Sequence, residues 1–67
     1  MESVWVVHES DLNNVVVLGV YSDIEILIRE FEARGIPLTQ MREGSYIYIN
    51  KSYLIYILEY KLNCLDL

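Results

Sequence analysis

Residues 15–23, VVVLGVYSD, pass from a run of β-branched residues through a glycine to a Ser-Asp pair. β-Branched residues favour strands, and Ser or Asp ahead of an apolar periodicity is typical of a helix start. Four apolar side chains then recur at helical spacing: Ile24, Leu27, Ile28 and Phe31. The stretch therefore predicts a strand that leads directly into an amphipathic helix.

A glycine before a helix start is also found in phosphate-binding loops, but the neighbouring residues favour a structural corner. Ser22 and Glu25 are spaced as a capping box, in which each side chain accepts from the other residue's amide. Asp23 adds a second carboxylate at the positive end of the helix dipole. A phosphate cradle needs several glycines and a neighbouring cation. We therefore expect Gly19 to allow a β-bulge or a close approach of the helix.

The flanking segments predict an α+β domain with the order ββαββ. The first two strands are joined by the polar turn 9–14 as a hairpin. The helix is predicted over 23–34 and ends at Gly35, beyond which Pro37 prevents continuation. The strands are predicted over residues 4–8, 15–21, 46–50 and 53–62. The expected fold is a four-stranded, mainly antiparallel sheet with one helix packed on one face.

The length of 67 residues allows one small domain, over residues 1–67, of marginal stability on its own. Oligomerisation often stabilises such domains, and we expect residues 63–67 to form a frayed tail. A lone cysteine, Cys64, fits a reducing cytosol. There is no basic amino-terminal region and no apolar run near the roughly 18 residues of a membrane span. We therefore expect a cytoplasmic protein with no membrane partner.

The net charge of −5 and the sequence pI of about 4.5 describe an acidic protein. Such a charge repels polyanions, so nucleic acids and anionic membrane surfaces are poor partners. The ten carboxylates are diluted by five cations, which is too sparse an array for a nucleic-acid mimic. We expect no nucleic-acid partner.

Few residues qualify for catalysis. His8 and Cys64, the only histidine and cysteine, lie on separate predicted elements, whereas a Cys–His pair needs hydrogen-bond contact. His8, Glu9 and Asp11 are the only nearby set for a metal, and a solvated turn explains them better. Carboxylates on the helix are spaced for surface ion pairs with arginines four residues on: Glu25–Arg29 and Glu30–Arg34. We predict a protein that is not an enzyme and uses no metal or cofactor.

The second and the last strand are apolar on both faces, although one helix covers only one face of a sheet. An apolar face of this size is rare on a monomer, and a twofold homo-oligomer is the commonest way to cover it. We predict association with a second copy. The residues expected at this contact are Val15, Val17, Tyr53, Ile55 and Ile57.

Six tyrosines and one tryptophan make the sheet rich in side chains that suit interfaces. They are also ordinary strand formers, so core packing is the alternative. The loop 36–45, IPLTQMREGS, is long and therefore a candidate functional surface, or else a polar connection that turns at Gly44. We expect Arg42 of this loop and Arg34 at the helix end to bind an anionic group of a ligand. The candidate ligand-binding residues are Trp5, Tyr21, Arg34, Gln40, Arg42, Tyr46 and Tyr48.

Three segments carry a resemblance: VWVVHE at 4–9, VVVLGVYSD at 15–23 and YILEYKLN at 56–63. Together they resemble a family of short bacterial and phage domains of unknown function, in which a strand, a turn, IGVYSS, a helix and a closing strand ending in YxLD follow one another. The chain departs from that pattern at residues 23–26, where the family is richer in Lys, Glu and Ala, and in the loop before strand three. The matching residues are Gly19, Val20, Tyr21, Ser22, Tyr60, Leu62 and Asn63. The resemblance implies the ββαββ fold and no catalytic residues.

Three functions are compatible with these features. The first is a homo-oligomer that sequesters a nucleotide-derived small molecule, as a phage or mobile-element counter-defence protein in the host cytoplasm. The second is a protein–protein inhibitor or adaptor that docks on a host protein through an apolar sheet face or edge. The third is a structural module of a larger assembly. The resemblance, the small size and the acidic single domain favour a phage context, and we predict the first function.

Overall fold

The computed structural model describes residues 3–62. Within this range five strands and one helix follow the order ββαβββ. Their bounds are β1 (Ser3–Ser10), β2 (Val15–Tyr21), α1 (Ile24–Ala33), β3 (Thr39–Arg42), β4 (Ser45–Ile49) and β5 (Leu54–Lys61). The strands form one sheet in the order β2-β1-β5-β4-β3, and every neighbouring pair is antiparallel. The predicted α+β class, with one helix and an antiparallel sheet, is confirmed.

The predicted strand number of four is wrong, because the segment 36–45 contains a strand. β3 pairs with β4, Gln40 lying opposite Tyr46, and the hairpin turns at Gly44, whose φ is +81°. The sequence TQMR has no apolar alternation and so gives no strand signal. Its strand conformation depends on pairing with β4, which is a tertiary effect.

Helix α1 packs on the sheet through the predicted apolar stripe. Leu27 is fully buried and joins Val7, Ile55 and Ile57 in the core. Ile24 and Phe31 of the same stripe are partly buried against this cluster. The core therefore lies between α1 and the central strands β1 and β5.

The start of α1 differs from the predicted capping box. The N-cap is Asp23, whose Oδ1 accepts from the amide of Glu25 at 2.9 Å. Ser22 lies outside the helix, so Glu25 is the second helical residue and not the third, which the capping box requires. The prediction of Ser22 as the cap is wrong, because the helix begins one residue later and a carboxylate serves as the acceptor.

The end of α1 is as predicted. Gly35 has φ of +78°, its amide donates to the Glu32 carbonyl, and the Ile36 amide donates to the Phe31 carbonyl at 2.8 Å. These two bonds form a Schellman motif, which needs a residue of positive φ and favours glycine there. Ile36 folds back against the core cluster.

The β1–β2 hairpin contains a bulge beside Gly19. Val7 lies opposite Gly19 and His8 opposite Val17, so Leu18 is the extra residue of β2. The expected bulge is confirmed, but the expected close approach of the helix is not seen. A Cβ built on Gly19 would meet only the Tyr21 ring, at 3.5 Å. The bulge reverses the alternation along β2, so that Val20 shares a face with Val15 and Val17.

Candidate functional site

The sheet has one face covered by α1 and one face that no described element covers. Residues paired across antiparallel strands share a face, so the register assigns every side chain. Val7, Ile55, Ile57 and Tyr46 face the helix. The other side is called the open face. Its polar residues are Ser10, Thr39 and Ser45, and its apolar and aromatic residues are Val4, Val6, His8, Val15, Val17, Val20, Ile47, Ile49, Leu54, Tyr56, Leu58 and Tyr60.

Exposure on the open face increases towards its edges. Side chains over the central strands, such as Val6 and Leu58, are half-buried by their neighbours. Val15 and Val20 on β2 are 60% and 61% exposed, and Ile49 on β4 is 74% exposed. Large exposed apolar patches are rare on monomeric domains, so the open face is the candidate interaction surface.

Among residues 3–62, no Asp or Glu lies on the open face. Glu9 and Glu59 are paired with Ile55 and Trp5 and so face the helix side. The remaining carboxylates of this range lie on α1, at its cap or in turns: Asp11, Asp23, Glu25, Glu30, Glu32 and Glu43. Arg42 lies opposite Ser45 at the rim of the face. The negative charge of the described chain is therefore confined to one side of the sheet and to its ends.

An aromatic stack occupies the middle of the open face. The rings of His8 and Tyr56 are nearly parallel, with centroids 4.5 Å apart, and the Tyr60 ring lies 6.5 Å from His8. His8 Nδ1 donates to the Tyr56 carbonyl oxygen at 3.3 Å. The predicted sites omitted these three residues. For Tyr56 and Tyr60 the sequence signal is the apolar row at alternate positions from Leu54 to Tyr60, which shows which residues share a face but not which face that is. His8 lies on another strand and has no such signal.

The residues predicted at the oligomer contact fall on both sides of the sheet. Val15 and Val17 lie on the open face and are exposed. Ile55 and Ile57 are 3% and 0% exposed beneath α1, and Tyr53 packs against the same core. A side chain buried under the helix has no surface for a second chain, so the prediction is corrected for Ile55 and Ile57. Tyr53 is partly buried, and its place at the contact stays a prediction. The row of β5 that lies on the open face is Leu54, Tyr56, Leu58 and Tyr60.

The aromatic residues predicted to bind a ligand pack against the core on the helix side. Trp5 meets Tyr46 edge to face, with centroids 5.8 Å apart, and the Tyr48 and Tyr53 rings are 6.4 Å apart. All four, together with Tyr21, are partly buried against the core cluster. This geometry favours the packing alternative for these side chains.

Tyr21 and Arg34 do share a small cleft, of about 250 Å³, between β2 and the end of α1. The Tyr21 hydroxyl donates to Glu30 Oε2 at 2.6 Å. This hydrogen bond, then desolvation and the negative charge of Glu30, raise the pKa of Tyr21 above its ordinary value, while Arg34 opposes the shift. The carboxylate beside the cleft works against binding of an anion.

The two arginines predicted to hold an anionic group are not brought together. Arg34 lies beside β2, whereas Arg42 lies on β3, at the other edge of the sheet. Four strand spacings of about 4.8 Å put the two edges about 19 Å apart. Gln40 lies with Arg42 on β3 and is exposed. The predicted set therefore does not form one ligand site within a single chain.

No metal-binding set is formed by the part of the chain that the structure describes. Within it there is no group of three or more His, Cys, Asp and Glu side chains that could hold a metal ion. His8 and Glu9 face opposite sides of the sheet, and Cys64 lies outside the described residues. Of the predicted ion pairs, Arg29 meets Glu25 at 3.7 Å, both side chains exposed, whereas Glu30 accepts from Tyr21.

No helix in residues 3–62 has the length and apolar character needed to cross a membrane. Comparisons with protein-family models, with curated proteins and with solved structures found no match. The resemblance to short bacterial and phage domains stays a prediction.

Proposed function

We propose that this protein is a non-catalytic binding protein that works as a homo-oligomer, with a second copy covering the open face. The observation that carries the proposal is the absence of any described carboxylate from that face in a chain of net charge −5. Two copies can bury the apolar area of this face against each other without bringing their carboxylates together. The same distribution makes the helix side a poor surface for self-association.

Face-to-face packing keeps the charges of two copies apart. Two sheets stack about 10 Å apart, with the helices on the outside. The shortest dimension of each chain is 20 Å, so the carboxylates on the two helices lie well beyond a Debye length of about 8 Å in physiological salt. Burial of apolar surface then supplies most of the favourable free energy of association.

The size of the chain is compatible with a stable dimer. Its two longer dimensions are 35 Å and 28 Å, so its outline seen along the shortest dimension is an ellipse of roughly 770 Å². A standard protein interface buries about 800 Å² on each partner. Twofold symmetry would place the His8–Tyr56 stack near the same stack of the second copy, since the stack lies near the middle of the face.

The sequence predicts an oligomer that sequesters a nucleotide-derived molecule between its protomers. Arg34 and Arg42 lie at opposite edges of the sheet within one chain, so a site that uses both arginines needs two copies. The counter-defence context also stays a prediction. An inhibitor or adaptor that docks on a host protein through the open face is the alternative that the experiment must separate from self-association.

Light scattering after gel filtration at micromolar concentration tests the proposal. The native chain should elute as a multiple of 7.9 kDa. Ile49→Glu, on the open face, should shift the population to monomer. Ile26→Glu is the matched control, since Ile26 is 48% exposed on α1 and lies off the open face, and it should leave the mass unchanged. Circular dichroism of each variant verifies that it is folded.

A native chain that is monomeric at every concentration would overturn the proposal. Co-purification of one stoichiometric host protein with that monomer, lost in Ile49→Glu, would favour the docking alternative. Dissociation by Ile26→Glu and not by Ile49→Glu would place the contact on the helix side instead.

A further inference from the structure

Strand β2 is an edge strand whose apolar side chains are exposed on both faces of the sheet. It stands first in the strand order and, among the described strands, pairs only with β1. Its seven residues include no charge and no proline. The exposed fractions are 60% for Val15, 51% for Val16, 55% for Val17, 51% for Leu18 and 61% for Val20.

The other edge strand, β3, is protected against pairing with another chain in the ways that natural sheets use. β3 has four residues, carries Arg42, and is irregular between Gln40 and Arg42. Short length, charge and bulges all discourage pairing with another chain. β2 has a bulge at Leu18, but Val15 to Val17 on one side of it and Val20 and Tyr21 on the other keep their pairing with β1. The two edges therefore differ, and β2 is the one open to a further strand.

Side chains of β2 are exposed on both faces of the sheet, and this indicates what kind of structure would pair with the strand. Val16 belongs to the helix side, since it pairs with Glu9, and Val17 belongs to the open face, since it pairs with His8. A helix or a loop would contact one of these rows. An added strand places alternate side chains beside each row and also pairs with the main-chain groups on the free edge.

Charge at the two ends of β2 indicates which strand fits. Asp11 precedes the strand, and its carboxylate accepts from the amides of Asn13 and Asn14 at 2.8 Å each. Asp23 follows the strand. A second β2 in antiparallel pairing would bring Asp11 of one copy towards Asp23 of the other, where like charges repel. A segment with basic flanks would be attracted by Asp11 at one end and by Asp23 and Glu30 at the other, where Arg34 opposes part of the attraction.

We propose that the β2 edge binds an extended apolar segment of another protein, flanked by Lys or Arg, as a sixth strand of the sheet. This surface goes beyond the association of two copies through the open face. Val15, Val17 and Val20 belong to both surfaces, but the main-chain groups of the edge stay accessible when a second copy covers the face. Main-chain hydrogen bonds supply affinity in such complexes, and alternate side chains supply specificity.

Fluorescence anisotropy with a labelled peptide, Lys-Lys-Val-Thr-Val-Thr-Val-Lys-Lys, tests the proposal. We expect saturable binding, weakened at least tenfold by N-methylation of alternate peptide amides and at least tenfold by replacing the four lysines with glutamates. Amide chemical-shift changes in NMR spectra should concentrate on β1 and β2. Absence of saturable binding, or tighter binding of the glutamate peptide, would overturn the proposal.

Two variants locate the binding edge. Val17→Lys introduces a charge on β2, and Met41→Lys introduces the same charge on β3, where Met41 is 63% exposed. We expect at least a tenfold loss of peptide affinity in the first and less than a twofold change in the second. Equal losses in both would overturn the proposal. Ile49→Glu should bind the peptide as well as the native chain does, so failure here is distinguishable from failure of the open-face dimer.

Discussion

Asp23 and Ser22 are adjacent residues with different roles at the start of α1. Asp23 accepts from the Glu25 amide, so Asp23→Ala leaves that amide without its partner. We expect the free energy of unfolding to fall by about 1 kcal/mol, the usual value for loss of an N-cap. Ser22→Ala should change it by less than about 0.5 kcal/mol, as is usual for surface positions. Urea denaturation of both variants at the same protein concentration measures these two changes. A larger loss of unfolding free energy in Ser22→Ala than in Asp23→Ala would contradict the assignment of Asp23 as the N-cap.

The hydrogen bond from Tyr21 to Glu30 predicts a dependence of stability on alkaline pH. The folded chain holds the Tyr21 proton to a higher pH than the unfolded chain, whose tyrosine has a pKa near 10.0. Between those two pKa values the folded state binds more protons, so the free energy of unfolding falls as pH rises. Below the unfolded pKa the stabilisation is fully present.

Tyr21→Phe removes this titration. The free energy of unfolding, measured from about pH 8.5 to about pH 11 around the ordinary tyrosine pKa, should decline less steeply in Tyr21→Phe than in the native chain. Tyr46→Phe is the control, since Tyr46 lies on the helix side of the sheet and its hydroxyl makes no hydrogen bond within residues 3–62. Equal slopes for Tyr21→Phe and the native chain would contradict the role of the hydrogen bond.

At the scale of elements, the end of α1 depends on a glycine and the bulge of β2 does not. Gly35 has φ of +78° with nothing within 4 Å of a built Cβ, so Gly35→Ala tests backbone strain alone. We expect a loss of about 1 kcal/mol, the cost of the left-handed conformation for an L-residue. Gly19→Ala should not destabilise, because its new methyl meets only the Tyr21 ring at van der Waals distance. Thermal unfolding of the two variants measures the loss of stability in each. An equal loss in Gly35→Ala and Gly19→Ala would contradict the prediction that only Gly35 is required for its backbone conformation.

Elements with a strong local signal were predictable, and those that depend on tertiary contacts were not. The β1–β2 hairpin and the Gly35 helix end follow from apolar periodicity and from the conformational preference of glycine. β3 has no such signal, since TQMR becomes a strand only by pairing with β4. The N-cap was misplaced by one residue, because Ser22 and Asp23 are both good caps and sequence does not decide where the first turn closes.

The candidate site was predicted in kind but not in place. Two-sided apolar strands indicated a second face to be covered, and the structure has an open face without a described carboxylate. Alternation along β5 puts Ile55 and Ile57 on the opposite face of the sheet from Leu54 and Leu58, but it does not show which of the two rows the helix covers. The strand order is also not readable from the sequence, and it places Arg34 and Arg42 at opposite edges of the sheet within one chain.

For the whole molecule, we propose that a second copy covers the open face. Isotope-filtered NMR on a mixture of labelled and unlabelled chains detects contacts between copies directly. We expect intermolecular NOEs to the methyl groups of Val6, Ile47 and Leu58, and none to Ile26 on α1. Intermolecular NOEs confined to α1, or none from the open face at concentrations where light scattering shows an oligomer, would contradict the claim.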